Sequence, residues 1–383
     1  MFMIMTCQYY KNQICSSCCF TEKTTLIEKK SEFVQKAFLN LPITFPPPHF
    51  SNKDQPGFRN KAKLAVFGTT QNPSLGITTS DLVQKDISHC PLYLNGIQKL
   101  IPQVKNIIGQ LDIPIYDIKT RTGELKYIII VGSSNSKEHM LRFVLKSKQN
   151  LDNLKKAVSS IILNFPTIKV VSANIQPIPH AIVEGLEEII LTPQTHITET
   201  LSEYQLYVSP KCFFQTNPSV AISLYLTFQK WLSETNAQNA LDLYCGTGCF
   251  SFFAAKHLDF VYGVEITPDA IHCALKSKSL NRFTNTEFIN DDATSYFNHS
   301  THQFDTLIVN PPRKGLGADL AKMIATREGL THLYYSSCNA ETLVKDFEIL
   351  KFKFTPTQMA IFDMFPFTRH YECLIEFKAL SAG

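Results

Sequence analysis

Residues 241–251 limit most tightly what this chain can fold into: an apolar run breaks into Gly246-Thr247-Gly248 and then opens a helical pattern. Residues 240–244 read as a buried parallel strand, and residues 250–257 carry helical spacing. Glycines at 246 and 248 let the backbone pass close to a ligand, and the N–H groups that start the next helix can receive polar atoms. Alone, Gly-x-Gly fits a plain tight turn equally well.

The segments that follow decide between these readings. A second strand, residues 260–264, ends in Glu265, where a carboxylate can accept hydrogen bonds from ribose hydroxyls. The dinucleotide fingerprint has a third glycine where Ser251 stands, and S-adenosylmethionine carries no pyrophosphate, so the pattern fits that cofactor better than NAD. A third strand, 287–290, ends in Asp291 and Asp292, and a fourth, 306–309, ends in Asn310-Pro311-Pro312-Arg313. An open α/β sheet holds its ligand at the carboxyl ends of successive strands. The C-terminal half therefore predicts a doubly wound, methyltransferase-like sheet.

With 383 residues the chain has length for two or three domains, and 44% apolar against 18% charged residues is the balance of a globular protein. No apolar run approaches the roughly 20 residues of a membrane span, and residues 1–5 are too short for a signal-peptide core, which predicts a cytoplasmic protein. The net charge of +4 is unevenly spread: residues 1–200 hold 22 Lys and Arg against 15 Asp and Glu, whereas residues 201–383 hold 15 against 18. A basic front half predicts contact with a polyanion. Eleven cysteines without a secretion signal argue for metal or catalytic thiols over a disulfide framework.

Cys7, Cys15 and Cys18 cluster near the N-terminus, and Cys90 lies far downstream beside Pro91. Such a set suits an iron–sulfur cluster, whose sulfurs need only converge in space, or a zinc site; spacing alone does not separate the two. Between residues 50 and 190, strands at 59–67, 127–131, 141–146 and 168–173 alternate with helices at 95–108 and 151–163. This predicts a small α+β domain whose basic rims, from Arg121, Lys126, Arg142, Lys146 and Lys148, hold a nucleic acid backbone. Pro46-Pro47-Pro48 and the region of Pro177 and Pro179 read as linkers.

Three further stretches carry chemistry. Gln215 precedes the cap and first-turn pair Asn217-Pro218, placed where its amide can reach a cofactor. Cys338 ends the strand from Leu333, with Asn339 capping the next helix; a thiol so placed can have its pKa lowered and act as a nucleophile. Glu372 starts an otherwise apolar strand, 371–377, expected antiparallel at the sheet edge, where a carboxylate is costly unless used. Asn310-Pro311-Pro312 also matches an amino-methyltransferase motif, but Arg313 replaces the aromatic that such enzymes stack on their target, and Cys338 and Glu372 would be idle.

Taken together, the Cys7, Cys15, Cys18 cluster with Cys90-Pro91-Leu92-Tyr93, Phe213-Phe214-Gln215-Thr216-Asn217, the 241–248 loop, Asn310-Pro311-Pro312-Arg313-Lys314-Gly315, Ser336-Ser337-Cys338-Asn339 and His370-Tyr371-Glu372 closely resemble the RNA 5-methyluridine methyltransferases. Within that family the chain resembles the branch acting on uracil 747 of 23S rRNA; Asn310 stands where other branches carry aspartate, and a cysteine cluster starting at residue 7 leaves no room for a leading TRAM domain. The resemblance implies a Rossmann-like class I methyltransferase sheet in residues 201–383, a central basic α+β RNA-binding domain in 49–200, and an N-terminal iron–sulfur segment in 1–48 completed by Cys90. It implies that Gln215, Tyr244, Glu265 and Asn310 contact S-adenosylmethionine, that Cys338 is the nucleophile and Glu372 the general base, and that Cys7, Cys15, Cys18 and Cys90 bind a [4Fe-4S] cluster. The implied partner is 23S rRNA, with no membrane, no obligate protein partner and a monomeric state expected.

Overall fold

The computed structural model describes residues 7–18, 23–38, 57–178 and 182–380. The opening 1–5 run, Pro46-Pro47-Pro48 and Pro179 lie outside them. The chain divides into two compact units: Met1–Cys18 with Gln55–Thr200 and Tyr207–Lys211, and Cys19–Asp54 with Leu201–Leu206 and Cys212–Gly383. Among the described residues no helix is long and apolar enough to cross a membrane.

Helices α1 (Gln8–Lys11) and α2 (Lys23–Ala37) come first, α1 in the first unit and α2 in the second. The first unit is then built on seven strands, β1 (Lys61–Thr69), β2 (Asn72–Thr78), β3 (Gln84–Asp86), β4 (Leu125–Gly132), β5 (His139–Leu145), β6 (Ile168–Ile175) and β7 (Glu187–Ile190). They order as β3-β2-β1-β4-β5-β6-β7, with only β5 and β6 parallel. Helices α3 (Asn95–Gln110) and α4 (Leu151–Asn164) send Ile97, Ile101, Val104, Leu154 and Ile161 into one core with the sheet. Strand alternation sorts the two faces: Ala62, Leu64 and Val66 of β1 enter that core, so Lys61, Lys63 and Ala65 take the opposite face.

This face corrects the expected basic rim. Arg142 is buried rather than solvated, and gives Glu188 a two-pronged contact at 3.0 and 2.6 Å and Glu184 a third at 2.6 Å. Lys63 meets the same Glu184 at 2.7 Å, and Lys148 pairs with Glu187 at 2.6 Å. Lys126 is buried and donates to the carbonyls of Gln176 and Ile178. An arginine this deep persists only where carboxylates neutralise it, which is what Glu184 and Glu188 do.

Strands β8 (Ile197–Leu201) and β9 (Tyr204–Val208) form a separate two-stranded sheet. The second unit is a seven-stranded sheet of β10 (Asn239–Leu243), β11 (Phe260–Glu265), β12 (Thr286–Asn290), β13 (Thr306–Val309), β14 (His332–Ser337), β15 (Phe354–Phe362) and β16 (Glu372–Ala379), ordered β12-β11-β10-β13-β14-β16-β15. The first five strands of that order are parallel, and β16 runs antiparallel to both neighbours. Helices α5 (Pro218–Ser233), α6 (Cys249–Ala255) and α7 (Pro268–Leu280) pack on one face with Ala240, Val261 and Ile308. Helices α8 (Ala293–His299), α9 (Ala318–Thr326) and α10 (Ala340–Leu350), joined by Val34 and Phe38, pack on the other with Leu241, Val264 and Leu307. The doubly wound expectation holds, with one correction: β16 does not form the sheet edge but lies between β14 and β15. Strand order reverses between β10 and β13, so their carboxyl ends open the crevice where such sheets take ligands.

Candidate active site

At the end of β10 the chain turns through three left-handed residues, Tyr244 (φ 63°), Gly246 (φ 56°) and Gly248 (φ 86°). Gly248 is required twice over, because a Cβ there would come within 2.7 Å of the Phe288 ring. A Cβ at Gly246 would meet nothing within 4 Å. Glu265, at the end of β11, braces this loop: one carboxylate oxygen accepts from the Gly246 N–H at 3.2 Å and the other from the Thr267 N–H at 2.9 Å. Each oxygen keeps lone-pair capacity for a hydroxyl donor. Tyr244 is half-buried, its phenol pushed up to about 12 by burial and then by Asp292, Asp346 and Glu265. A bare backbone turn, a carboxylate acceptor and an aromatic ring on adjacent strand ends fit a nucleoside-bearing cofactor.

Asn310 is half-buried just past β13, its N–H 3.5 Å from the Leu243 carbonyl, so it stands beside the β10 turn. Gln215 is buried ahead of α5. The helix start reads as expected, with Asn217 Oδ1 accepting from the Val220 N–H. Sequence reasoning passed over Asp242. It is wholly buried in β10, accepts a 2.6 Å hydrogen bond from Ser251, leaves Oδ1 without a partner among the described residues, and has its carboxyl pushed up to about 7 by burial. The signal was present: an acid inside a buried run, nine residues before the serine that replaces the third glycine.

Two strands further along the sheet the chemistry changes. In the antiparallel pair of β14 and β16 the last pair is Ser337 with Cys373, so Cys338 leaves β14 and Glu372 begins β16 at the same end of the ladder, and the Glu372 charge acts on the Cys338 thiol. Glu372 is buried and its carboxyl is raised to about 7 by burial, against the 2.7 Å hydrogen bond that Ser336 donates to it. Cys338 is half-buried; burial and the Glu372 charge raise its thiol, while Arg313, by charge and hydrogen bond, pulls it down. The expected lowering by the helix start is therefore outweighed by burial and a carboxylate neighbour, and Arg313 is the residue that opposes them.

Arg313 is held in turn. Its carbonyl accepts from Asn339 Nδ2 at 3.2 Å and Thr342 Oγ1 at 3.3 Å, while Asn339 Oδ1 caps α10 through the Glu341 N–H. The next residues of the loop are fixed by buried Asp346, which accepts from the Leu316 N–H and the Tyr335 hydroxyl. Tyr371, beside Glu372, accepts the Ala340 N–H at 3.0 Å and so ties the start of β16 to the first turn of α10. Lys30 of α2 pairs with Asp363 and donates to the Phe365 carbonyl at 3.2 Å, which anchors the loop leading to Glu372. Neither Tyr371 nor Lys30 could be picked from spacing.

The three thiols near the N-terminus, Cys7, Cys15 and Cys18, and the downstream Cys90 all belong to the first unit. Cys18 is pushed up to about 12 by burial and then by Cys90, Cys15 and Cys7, and Cys90 up to about 11 by burial, with Cys7 and Cys15 adding to it. Cys7 and Cys15 therefore each lie within reach of the charges of Cys18 and Cys90, opposed by Arg59. Among the described residues, no group of three or more His, Cys, Asp or Glu side chains is drawn to metal-holding spacing. The all-sulfur donor set fits an iron–sulfur cluster in its chemistry.

Comparison with known proteins gives one answer. A model of the tRNA (Uracil-5-)-methyltransferase family matches residues 186–379. The 23S rRNA (uracil(747)-C(5))-methyltransferase RlmC of Shewanella amazonensis is 37% identical over 99% of this chain and 100% of its own length. Its counterpart in Actinobacillus pleuropneumoniae is 38% identical over 97% of this chain and 98% of its own. Among solved structures, the Pyrococcus abyssi tRNA (uracil-54, C5)-methyltransferase in complex with S-adenosyl-L-homocysteine superposes with a TM-score of 0.77 at 26% identity, covering 94% of this chain and 84% of that one. The strand order, the β10 turn and these full-length matches agree, and the chain belongs to the tRNA (uracil-5-)-methyltransferase family.

Proposed function

We propose that this chain methylates carbon 5 of a uridine in 23S rRNA, the nucleotide being the uracil 747 named for its relatives, with Cys338 as nucleophile and Glu372 as general base. The observation that carries the reading is that Cys338 and buried Glu372 directly follow and precede the last β14–β16 pair, Ser337 with Cys373, with the Glu372 charge acting on the thiol. Carbon 5 of uracil is a poor nucleophile. A thiolate bond from Cys338 to carbon 6 moves the double-bond electrons to carbon 5 as an enolate. S-adenosylmethionine, when bound, supplies the electrophilic methyl group. The Glu372 carboxylate then takes the carbon 5 proton; the electrons of that bond restore the double bond and expel the Cys338 thiolate. A carboxyl at about 7 is poised for that transfer near neutrality, and Arg313 stabilises the thiolate on either side of the cycle. A stacked uridine is out of reach of these groups, so the substrate is flipped from a loop.

Gln215, Tyr244, Glu265 and Asn310 are assigned to S-adenosylmethionine, supported by the open Gly246 backbone and the bracing carboxylate beside it. Residues 49–200 are assigned to RNA binding and 201–383 to catalysis, in a cytoplasmic monomer. Cys7, Cys15, Cys18 and Cys90 are assigned to a [4Fe-4S] cluster as a staple for the N-terminal segment 1–48. Their mutual reach and exclusively sulfur donors support it.

The test uses a 23S rRNA fragment carrying tritium at carbon 5 of uridine. Transfer at carbon 5 releases tritium to water in step with methyl uptake. Methyl uptake without tritium release would place the methyl elsewhere and overturn the reading.

A further inference from the structure

The helix-free face of the first unit carries a feature that the proposed chemistry does not use. A cavity of about 570 Å³ opens there, lined in part by Lys63, Gln84, Tyr116, Arg121, Lys126 and Tyr127. Its volume falls in the range of small-ligand pockets. Among the described residues three cations and no carboxylate line it.

The cations differ in what they already hold. Lys63 is engaged by Glu184 at 2.7 Å. Among the described residues Lys126 is met only by dipoles, the Gln176 and Ile178 carbonyls at 3.0 and 2.7 Å, and by the Tyr116 ring, whose centroid is 5.1 Å away. Burial and the Lys146 charge lower its pKa. Arg121 is exposed, makes no ion pair among the described residues, and is held at φ 59° on the tip of a tight loop. The loop is locked by Asp117, whose side chain accepts the Lys119 and Thr120 N–H groups and whose carbonyl accepts that of Arg121. A left-handed arginine is strained, and the turn spends that strain to point a cation at the cavity rim. Tyr127 is half-buried and Tyr116 buried in the same wall, so two phenol rings adjoin the charge.

Anion-seeking cations beside aromatic rings, with hydroxyls and an amide around them, match a phosphate joined to a base. We propose that this cavity holds one unstacked nucleotide of the RNA substrate, other than the uridine that is methylated, with its phosphate on Arg121 and Lys126 and its base against the tyrosines. The inference rests on the RNA-methylating reading, because that reading supplies the partner. It adds an anchoring site in the first unit, which contains neither Cys338 nor Glu372.

The experiment measures fluorescence anisotropy of a labelled 23S rRNA loop fragment with the full chain across a KCl series. Arg121→Ala is expected to weaken binding about fivefold and to reduce the salt slope by about one, the loss of a single phosphate contact. Tyr127→Leu is expected to weaken RNA about tenfold while sparing heparin, which offers charge without bases, and Tyr127→Phe to bind like the native chain. Unchanged affinity and slope in Arg121→Ala would overturn the proposal. So would equal losses for RNA and heparin in Tyr127→Leu, which would leave only a cationic patch. Tight binding of free AMP that the RNA does not displace would also overturn it, by assigning the cavity to a free nucleotide. Binding is read without catalysis, so the two readings fail separately. A chain that binds as predicted but methylates nothing keeps the cavity and loses the reaction; one that methylates while Arg121→Ala binds normally does the reverse.

Discussion

Glu372 and Asp242 are carboxyls of one sheet, both raised to about 7 by burial, and their surroundings give them different work. Glu372 faces a nucleophile, so its ionisation shows in rate. Its carboxylate form increases as pH rises through about 7, and the Cys338 thiol, raised above its ordinary value, keeps gaining thiolate beyond that. Single-turnover rates should climb across pH 6 to 8 without a descending alkaline limb, and a rate that falls over that window would contradict the assignment. Glu372→Gln blocks only the last proton transfer. It should leave RNA joined to Cys338 as a band that survives denaturation, whereas Cys338→Ala should give no band and lose activity by at least about a thousandfold. Asp242 shows in stability instead. Its folded pKa lies above the unfolded value of about 3.9, so the neutral form favours folding at low pH, and that contribution is lost as pH rises from about 4 to about 7, at most about 1.4 kcal/mol per unit. Asp242→Asn should therefore gain on the native chain in urea unfolding at pH 8 relative to pH 5; an identical difference at both values would remove Asp242 as the cause.

At the scale of elements, the turn after β10 depends on Gly248 for two separate reasons. Gly248→Ala combines a left-handed backbone with a collision on Phe288, and should lower stability by about 1–3 kcal/mol and weaken S-adenosylhomocysteine binding, read by thermal melting and calorimetry. Full cofactor affinity in that variant would contradict the placement of the ligand at this turn. These elements were legible because parallel strands buried on both faces read as continuous apolar runs: β13 falls on residues 306–309 as expected, and β10 and β11 within a residue. β15 was not legible. Pro356 and the register shift between Pro356 and Gln358 interrupt its pattern, and an edge strand tolerates both, so β16 was left at an edge that β15 occupies. The roles of Cys338 and Glu372 could be proposed from motifs, but the ties through Tyr371, Arg313 and Asp346 needed the fold, since each joins groups from eleven to thirty-one positions apart.

For the whole molecule, the excess of cations in residues 1–200 was legible and their placement was not. Arg142, Lys126 and Lys148 sit on strands or beside them as a basic rim would, yet partners distant in sequence bury or pair them. Among the described residues, Arg121, Lys126 and Lys146 of that rim make no ion pair with a carboxylate, and Arg121 and Lys126 line the cavity. The thiols add a prediction of their own. Protein produced anaerobically should carry iron and acid-labile sulfide with a broad visible absorbance, and Cys90→Ser should lose all three and lower the thermal midpoint; native protein free of iron and sulfide would refute the cluster. The central claim, carbon 5 methylation of a 23S rRNA uridine through Cys338, is tested most directly by mass mapping of 23S rRNA from cells lacking this activity, incubated with S-adenosylmethionine and either the native chain or Cys338→Ala. The account predicts one new 5-methyluridine, at 747, with the native chain and none with Cys338→Ala. A methyl group on another atom, or the same product from Cys338→Ala, would contradict it.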